Sequence, residues 1–347
     1  MIIDVHAHAL SASLLDRFAR DGAFGFHHGR GGEVLVRGYG EFDRDVYDHE
    51  ERLERLADMK VDLQLISPML NLTSWPGTAA DVELARALNQ STADCVAGSG
   101  GRFAGLAALA LGEPRRAVEE LGRAVEEHGF VGAAIGTYAG DRPLDHPSLE
   151  PVFAEIERRG LPLLMHPTSA VADPPPPAGQ GWTAADQPAP SWDEYTLTTI
   201  LAWPNETARA TARLIFAGTL ERHPDLRLVL SHGGGTLPFL RGRLNLAYTA
   251  PKHEYNPDCH AYISKPPGEY LDQLLFDTAV GAAESLHFLI DNVGAERVVL
   301  GTDDPFEIGD TGARMAMPAL SEREPAEADQ ILGGTLKHLL RPASSGR

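Results

Sequence analysis

Asp4-Val5-His6-Ala7-His8 places two imidazoles two residues apart at the end of a short apolar run that begins at Met1. Side chains alternate across a strand, so His6 and His8 project the same way. Two neutral imidazoles at one strand end can grip a single metal ion, because imidazole nitrogen suits zinc and its neighbours. Three later segments share the design. Leu161-Pro162-Leu163-Leu164-Met165-His166 and Leu226-Arg227-Leu228-Val229-Leu230-Ser231-His232 are β-forming runs that finish on His, and Arg297-Val298-Val299-Leu300-Gly301-Thr302-Asp303 finishes on Asp. The residue after each is Pro167, Gly233 or Asp304, all turn formers. Any one of these histidines alone reads as a buried ring bonded to a backbone carbonyl. Four strand ends that all finish on metal-compatible side chains favour one shared metal site.

Four distant strand ends meet only if the intervening elements bring them together. Strands are predicted at Met1–His6, Val61–Ile66, Phe103–Ala110, Val131–Gly136, Leu161–Met165, Leu226–Leu230, Leu274–Thr278 and Val298–Gly301. Helical patterns alternate with them at His49–Met59, Asp81–Ala97, Glu113–His128, Pro147–Arg159, Trp192–Ala202, Glu206–Arg222, Thr236–Leu246, Glu284–Val293 and Glu322–Leu340. Eight strands in such alternation indicate a parallel sheet closed as an α/β (β/α)8 TIM barrel, here expected as one domain over residues 1–347. Active sites of that fold lie at the C-terminal strand ends, and the proposed ligands end strands one, five, six and eight. Two stretches are expected to be irregular. One is the Gly-rich insertion from about Ala9 to Asp45, after strand one. The other is the Pro-rich loop from Pro167 to Ser191, after strand five, which suits a lid or pocket wall. Trp182 in that loop and Trp192 just after it either close over a planar substrate or pack the loop.

Composition narrows the partners. Thirty basic against 49 acidic residues give a formal charge of −19, which argues against nucleic acid and anionic membrane. Hydrophobic content of 43% is ample for a large core. Cys95 and Cys259 are the two cysteines, too few for a disulfide framework or a thiolate cluster. No signal-peptide pattern and no run of membrane-spanning length is present, so a soluble cytoplasmic protein is the expectation.

Over nearly the whole chain these residues resemble the amidohydrolase superfamily, and more narrowly the branch that contains 2-amino-3-carboxymuconate-6-semialdehyde decarboxylase. The resemblance is carried by Asp4-Val5-His6-Ala7-His8, by Arg52-Leu53 with Val61-Asp62-Leu63-Gln64, and by Leu164-Met165-His166-Pro167. It continues in His232-Gly233-Gly234-Gly235 with Arg241-Gly242-Arg243, and in Gly301-Thr302-Asp303-Asp304-Pro305-Phe306. It implies that His6, His8, His166 and Asp303 ligate one divalent metal ion, zinc in the first place and manganese in the second. His232 would stand beside the metal as an acid/base or electrostatic group, with Asp303 sharing the catalytic role. Many superfamily members hold two metals through a Lys or Glu at the end of strand four; Val131-Gly132-Ala133-Ala134-Ile135-Gly136-Thr137 offers neither, so a mononuclear site follows. Arg243 would reach a substrate carboxylate, within its subunit or across the interface of a homodimer, or else form a surface ion pair. Arg37 and Arg44 are both candidates for a substrate-binding arginine of the first loop. The tryptophan that some relatives use near Thr199 is unmatched, although Trp192 and Trp203 flank the position, and Trp192 is retained as a substrate contact.

The chemistry open to such a site is Lewis-acid polarisation of a substrate oxygen, or activation of water. An imidazole at the position of His232 can take or return a proton near neutral pH. The branch-level resemblance implies non-oxidative decarboxylation of a small unsaturated or aromatic carboxylic acid. The same residues would serve hydrolysis of an ester, lactone or amide, or hydration of a double bond. A metal-binding scaffold without activity would show a damaged ligand set, and none is visible. No Gly-rich dinucleotide fingerprint follows the first strand, which argues against an oxidoreductase.

Overall fold

Short runs rich in Val, Leu, Ile and Ala form eight parallel strands in the computed structural model, which describes residues 1–23, 26–36, 40–41, 44–69, 79–140, 142–168, 194–250, 257–306 and 308–340. They are β1 (Ile2–His8), β2 (Val61–Ser67), β3 (Phe103–Ala108), β4 (Gly132–Ile135), β5 (Pro162–Met165), β6 (Arg227–Leu230), β7 (Leu275–Asp277) and β8 (Val298–Val299). Each pairs with the next in chain order. The ring then closes. Val5 N–H donates to the Leu300 carbonyl, Asp303 N–H to that of His6 and His8 N–H to that of Asp304, each at 2.8 Å. The expected (β/α)8 barrel is therefore the fold.

The strands read as continuous apolar runs because both faces are covered. Ile3, Val5, Leu65, Leu106, Ala134, Leu164, Val229 and Val299 share one buried cluster. The alternate positions Ile66, Ala107, Ala133, Leu163, Leu228 and Val298 pack in a second cluster with helix residues such as Leu121, Val152, Leu214 and Ile290. Helices Pro114–His128 and Glu150–Arg159 end on Gly129 and Gly160, both left-handed, where a side chain would cost energy.

One irregularity in β1 positions the site. Its pairing with β2 runs Asp4 to Gln64 and then Ala7 to Ile66, three steps against two. That extra residue is a β-bulge. Strict alternation would put Val5 and His6 on opposite faces. The bulge lets Val5 pack with the inner cluster and still turns His6 and His8 toward the C-terminal mouth.

Several expected boundaries shift. The stretch from Ala9 to Asp45 is not irregular throughout. It holds helix Ala12–Asp21, capped by Ser11 Oγ and ended by left-handed Gly22, then an antiparallel sheet of Phe26–His28, Val34–Val36 and Gly40–Glu41. The helical spacing of Leu14, Leu15, Phe18 and Ala19 carries that signal, and glycine content outweighed it. After β6 the helix covers Arg241–Thr249 rather than Thr236–Leu246, because His232 to Gly235 all have φ between 54° and 71° and form turns. Before Trp203–Phe216 stands a π-helical turn, Thr198–Ala202, and Gly218 separates off Thr219–Arg222. Most of the Pro-rich loop, with Trp182 and Trp192, lies outside the described residues, as does Arg37.

Gly301 sits where β7, β8 and β1 converge. A Cβ there would come within 2.7 Å of Asp277 Cβ and 3.0 Å of His6 Cβ. Gly301→Ala should lower unfolding stability by about 1–3 kcal/mol in urea titrations. Gly98→Ala, with open space around the added methyl, should leave it unchanged or higher.

Candidate metal centre

Four strand-end side chains meet at one point. One ligand atom each from His6, His8, His166 and Asp303 lies within 4.8 Å of the others, and all four residues are buried. His6 Nε2 and His8 Nε2 are 3.2 Å apart. Asp303 Oδ1 is 3.2 Å from the first, 3.1 Å from the second and 4.0 Å from His166 Nε2. Two donors each about 2.1 Å from one ion at a tetrahedral angle lie about 3.4 Å apart, so these spacings fit ligands of a shared cation. Asp303 Oδ1 is buried without a hydrogen-bond partner among the described residues. A buried carboxylate oxygen so placed calls for a cation. This is the one such cluster among the described residues, and β4 adds no carboxylate or lysine to it. The donor set fits a single cation.

The outer nitrogens of the ligands are fixed as well. His6 Nδ1 lies 2.6 Å from Asp277 Oδ2, His8 Nδ1 3.2 Å from Ser67 Oγ, and His166 Nδ1 2.9 Å from the Pro167 carbonyl. Such partners hold each ring in the tautomer that presents Nε2 to the metal. Asp277 is the functional residue that the sequence reading missed. It lies one residue inside the predicted strand Leu274–Thr278, and only the observed strand Leu275–Asp277 ends on it. His232 and Asp303 both hold left-handed backbone, φ 54° and 59°. Non-glycine residues adopt that conformation at a cost, commonly where a side chain must be aimed.

Charge and burial divide the roles of the ligands. Burial, reinforced by the charges of His8, His6 and His232, pushes His166 far below the usual histidine range, and burial likewise lowers His8. Both are neutral rings, the form that binds metal. Burial also disfavours charge on His6, yet Asp303 and Asp277 outweigh it and raise His6 to about 10. Burial would raise Asp303; His6, His232 and His8 instead hold it well below the carboxylate range.

His232 Nε2 lies 3.3 Å from Asp303 Oδ2, and its Nδ1 lies 3.2 Å from Ser231 Oγ. With Asp303 it lines a cavity of about 770 Å³, walled by Ile200, Leu201, Phe239, Val280 and Phe288 and carrying the polar groups of Asn205, Thr236 and Glu284. The structure thus unites His6, His8, His166, Asp303 and His232. Arg243 is exposed in the first turn of helix Arg241–Thr249, with no ion pair among the described residues. Arg44 forks onto Asp48 at the surface, at 2.9 and 2.7 Å. Trp203 stands beside the ligands, its ring 6.5 Å from that of His166.

A proton on His6 must leave before its Nε2 can bind metal. The raised His6 value therefore predicts that metal binding at neutral pH releases about one proton. Apparent affinity should rise about tenfold per pH unit from pH 7 and level off near the His6 value. Chelator competition across that range, or calorimetry in buffers of different protonation enthalpy, reads both; pH-independent affinity would remove His6 as the protonated ligand.

Comparison with known proteins agrees with this geometry. The amidohydrolase family model matches residues 3–340. The 2-amino-3-carboxymuconate-6-semialdehyde decarboxylase of Dictyostelium discoideum is 28% identical over 347 aligned residues, covering 97% of this chain and 91% of the relative. Gamma-resorcylate decarboxylase of Rhodococcus jostii is 30% identical over 279 residues, covering 74% of this chain and 77% of the relative. The 5-carboxyvanillate decarboxylase of Novosphingobium aromaticivorans, solved with manganese and 4-hydroxy-3-methoxy-5-nitrobenzoic acid, shares the fold with a TM-score of 0.77 at 20% identity, over 98% of this chain and 96% of that one. The chain belongs to the amidohydrolase family, on the branch that holds these decarboxylases.

Proposed function

We propose that the chain is a metal-dependent, non-oxidative decarboxylase of a small aromatic or unsaturated carboxylic acid. The observation that carries this reading is the position of His232 and Asp303 at the junction of the metal centre and a largely apolar cavity. Relatives named as decarboxylases, along most of the chain, favour loss of CO2 over hydrolysis or hydration with the same residues.

His6, His8, His166 and Asp303 would hold a divalent ion, which when bound would supply Lewis-acid polarisation of the substrate. Zinc fits three imidazoles and a carboxylate; the manganese in a decarboxylase of this fold makes manganese the other candidate. Ile200, Leu201, Phe239, Val280 and Phe288 offer a planar acid an apolar bed that sheds water. As the bond to the carboxyl carbon breaks, its electron pair stays on the substrate carbon and CO2 leaves. His232 Nε2 delivers a proton to that carbon and regains one from water, with Asp303 Oδ2 and Ser231 Oγ fixing the ring.

Further contacts extend the reading. Arg243 is proposed to hold a substrate carboxylate in the site of a second copy. Phe239 and Leu246, large apolar side chains exposed on either side of it, support a homodimer through this face. A first-loop arginine, Arg37 or Arg44, and Trp192 are proposed as additional substrate contacts; Arg44 would first have to leave Asp48. A cytoplasmic location is proposed from the two free cysteines, and no helix among the described residues is long and apolar enough to cross a membrane.

Mass spectrometry of the metal-loaded protein against aromatic and muconate-type acids should show loss of CO2, abolished by chelator. Gain of water from lactones, esters or amides instead would move the protein to the hydrolase reading. His232→Ala should cut decarboxylation by about 10²–10⁴-fold with metal content intact, and a fully active variant would end the role given to His232. Sedimentation should give twice the 37.4 kDa chain mass, and Leu246→Asp should yield a monomer with impaired turnover. A fully active monomer would exclude Arg243 from a partner's site.

A further inference from the structure

Beneath the metal ligands, on the outer side of β1, lies a buried polar network that the reaction does not use. Arg52 is fully buried, as are Asp4 and Gln64, while Asp304 and Thr302 are nearly so. Arg52 comes from helix Glu50–Asp58 and spreads its guanidinium over three partners. Nη1 donates to the His8 carbonyl at 2.6 Å, Nη2 donates to Gln64 Oε1 at 2.6 Å, and Nε lies 2.9 Å from Asp304 Oδ2. Its flat face stacks on the Phe103 ring at 5.0 Å. Arg55 adds a second cation, Nη2 donating to Asp304 Oδ1 at 3.1 Å.

Gln64 passes the network on to the bulge. Its Nε2 donates to Asp4 Oδ2 at 2.7 Å, and Thr302 Oγ1 donates to the same oxygen at 2.6 Å. Asp4 Oδ1 accepts the N–H of His6, which the bulge has released from the strand ladder, and the N–H of Thr302, each at 3.1 Å. Thr302 Oγ1 also accepts Asp304 N–H at 3.2 Å. Every metal ligand from the two chain ends is therefore flanked by a member of this network: His6 through its N–H, His8 through its carbonyl, and Asp303 through both neighbours.

We infer that Arg52 is a positioning residue for the metal centre, which through Gln64, Asp4 and Asp304 sets the spacing between the imidazoles of β1 and the carboxylate after β8. The charges are matched, Arg52 and Arg55 against Asp4 and Asp304, so no member can change charge without leaving an unpaired ion in the barrel wall. The guanidinium is needed for its shape. A planar fork reaches a carbonyl, an amide oxygen and a carboxylate at once, whereas a lysine ammonium at the end of a flexible stem holds one or two. The inference rests on reading the four ligands as a metal site.

The test uses cobalt(II) as the probe and compares the intact chain with Arg52→Lys, Asp304→Asn and a control, Glu120→Gln. Glu120 belongs to a separate buried cluster with Asn89 and Arg123 on the outer helices. Cobalt affinity is measured by chelator competition, ligand geometry by the visible absorption of the bound ion, and fold by thermal unfolding of the metal-free protein. Arg52→Lys and Asp304→Asn should weaken cobalt binding about 10–100-fold and alter the absorption bands, while Glu120→Gln changes neither. A folded Arg52→Lys with the affinity and spectrum of the intact chain overturns the inference. Should Arg52→Lys fail to fold, Asp304→Asn, which keeps the shape but replaces one acceptor oxygen with an amide NH2, decides in its place by the same criterion. Equal loss of affinity in Glu120→Gln would show general softening and overturn it too. Absence of stoichiometric cobalt binding by the intact chain would instead overturn the metal site, and this inference with it.

Discussion

The backbone junction between the last strand and the first is the constraint on which the site depends. The His6 carbonyl accepts Asp303 N–H, and the Asp304 carbonyl accepts His8 N–H. These bonds place the carboxylate of Asp303 over the imidazoles of His6 and His8. Neither half has ligand geometry without the other. The closure in turn requires six intervening strands of matched tilt, because a sheet of this kind closes only when strand number and stagger agree. The apolar layers inside and outside the sheet are thus a condition of the chemistry.

Within that closed ring, burial sharpens every charge. Asp303 keeps its charge against burial because of the rings around it, and His8 and His166 stay neutral because burial discourages a cation. With no ion bound, the charges of Asp303 and Asp277 favour a proton on His6, whose pKa they raise to about 10. The cluster is thus a positive-ion site in either state, and the two occupants compete for one nitrogen. Desolvation is what makes that competition steep, since at the surface water would screen both.

Much of this is legible in the chain. The strand ends His166, His232 and Asp303, and the pair His6 and His8, stand out because four apolar runs that all stop on metal-compatible side chains are improbable by chance. The barrel follows from eight apolar runs that alternate with helical patterns. Asp277 is harder to see, since its strand is short and its partner lies 271 residues away. The helix Ala12–Asp21 is hidden by the glycines around it, and the bulge in β1 leaves no local signature, because it is defined by pairing with β2. Arg52 stands in the sequence as one residue of the family resemblance, and its burial and three partners appear only with the fold. Long-range contact, rather than local preference, decides each of these cases.

The ligands lie at opposite ends of the chain, which sets an order of events during synthesis. His6 and His8 leave the ribosome first, His166 near the middle and Asp303 close to the end. At translation speeds of ~5–20 residues per second, ~15–60 s separate the first imidazole from the carboxylate. A nascent chain can offer an ion the imidazoles of His6 and His8 early in that interval, and lacks the carboxylate ligand until strand eight is made. The buried four-ligand set exists only once the barrel has closed, so the geometry that would select an ion is a property of the finished fold.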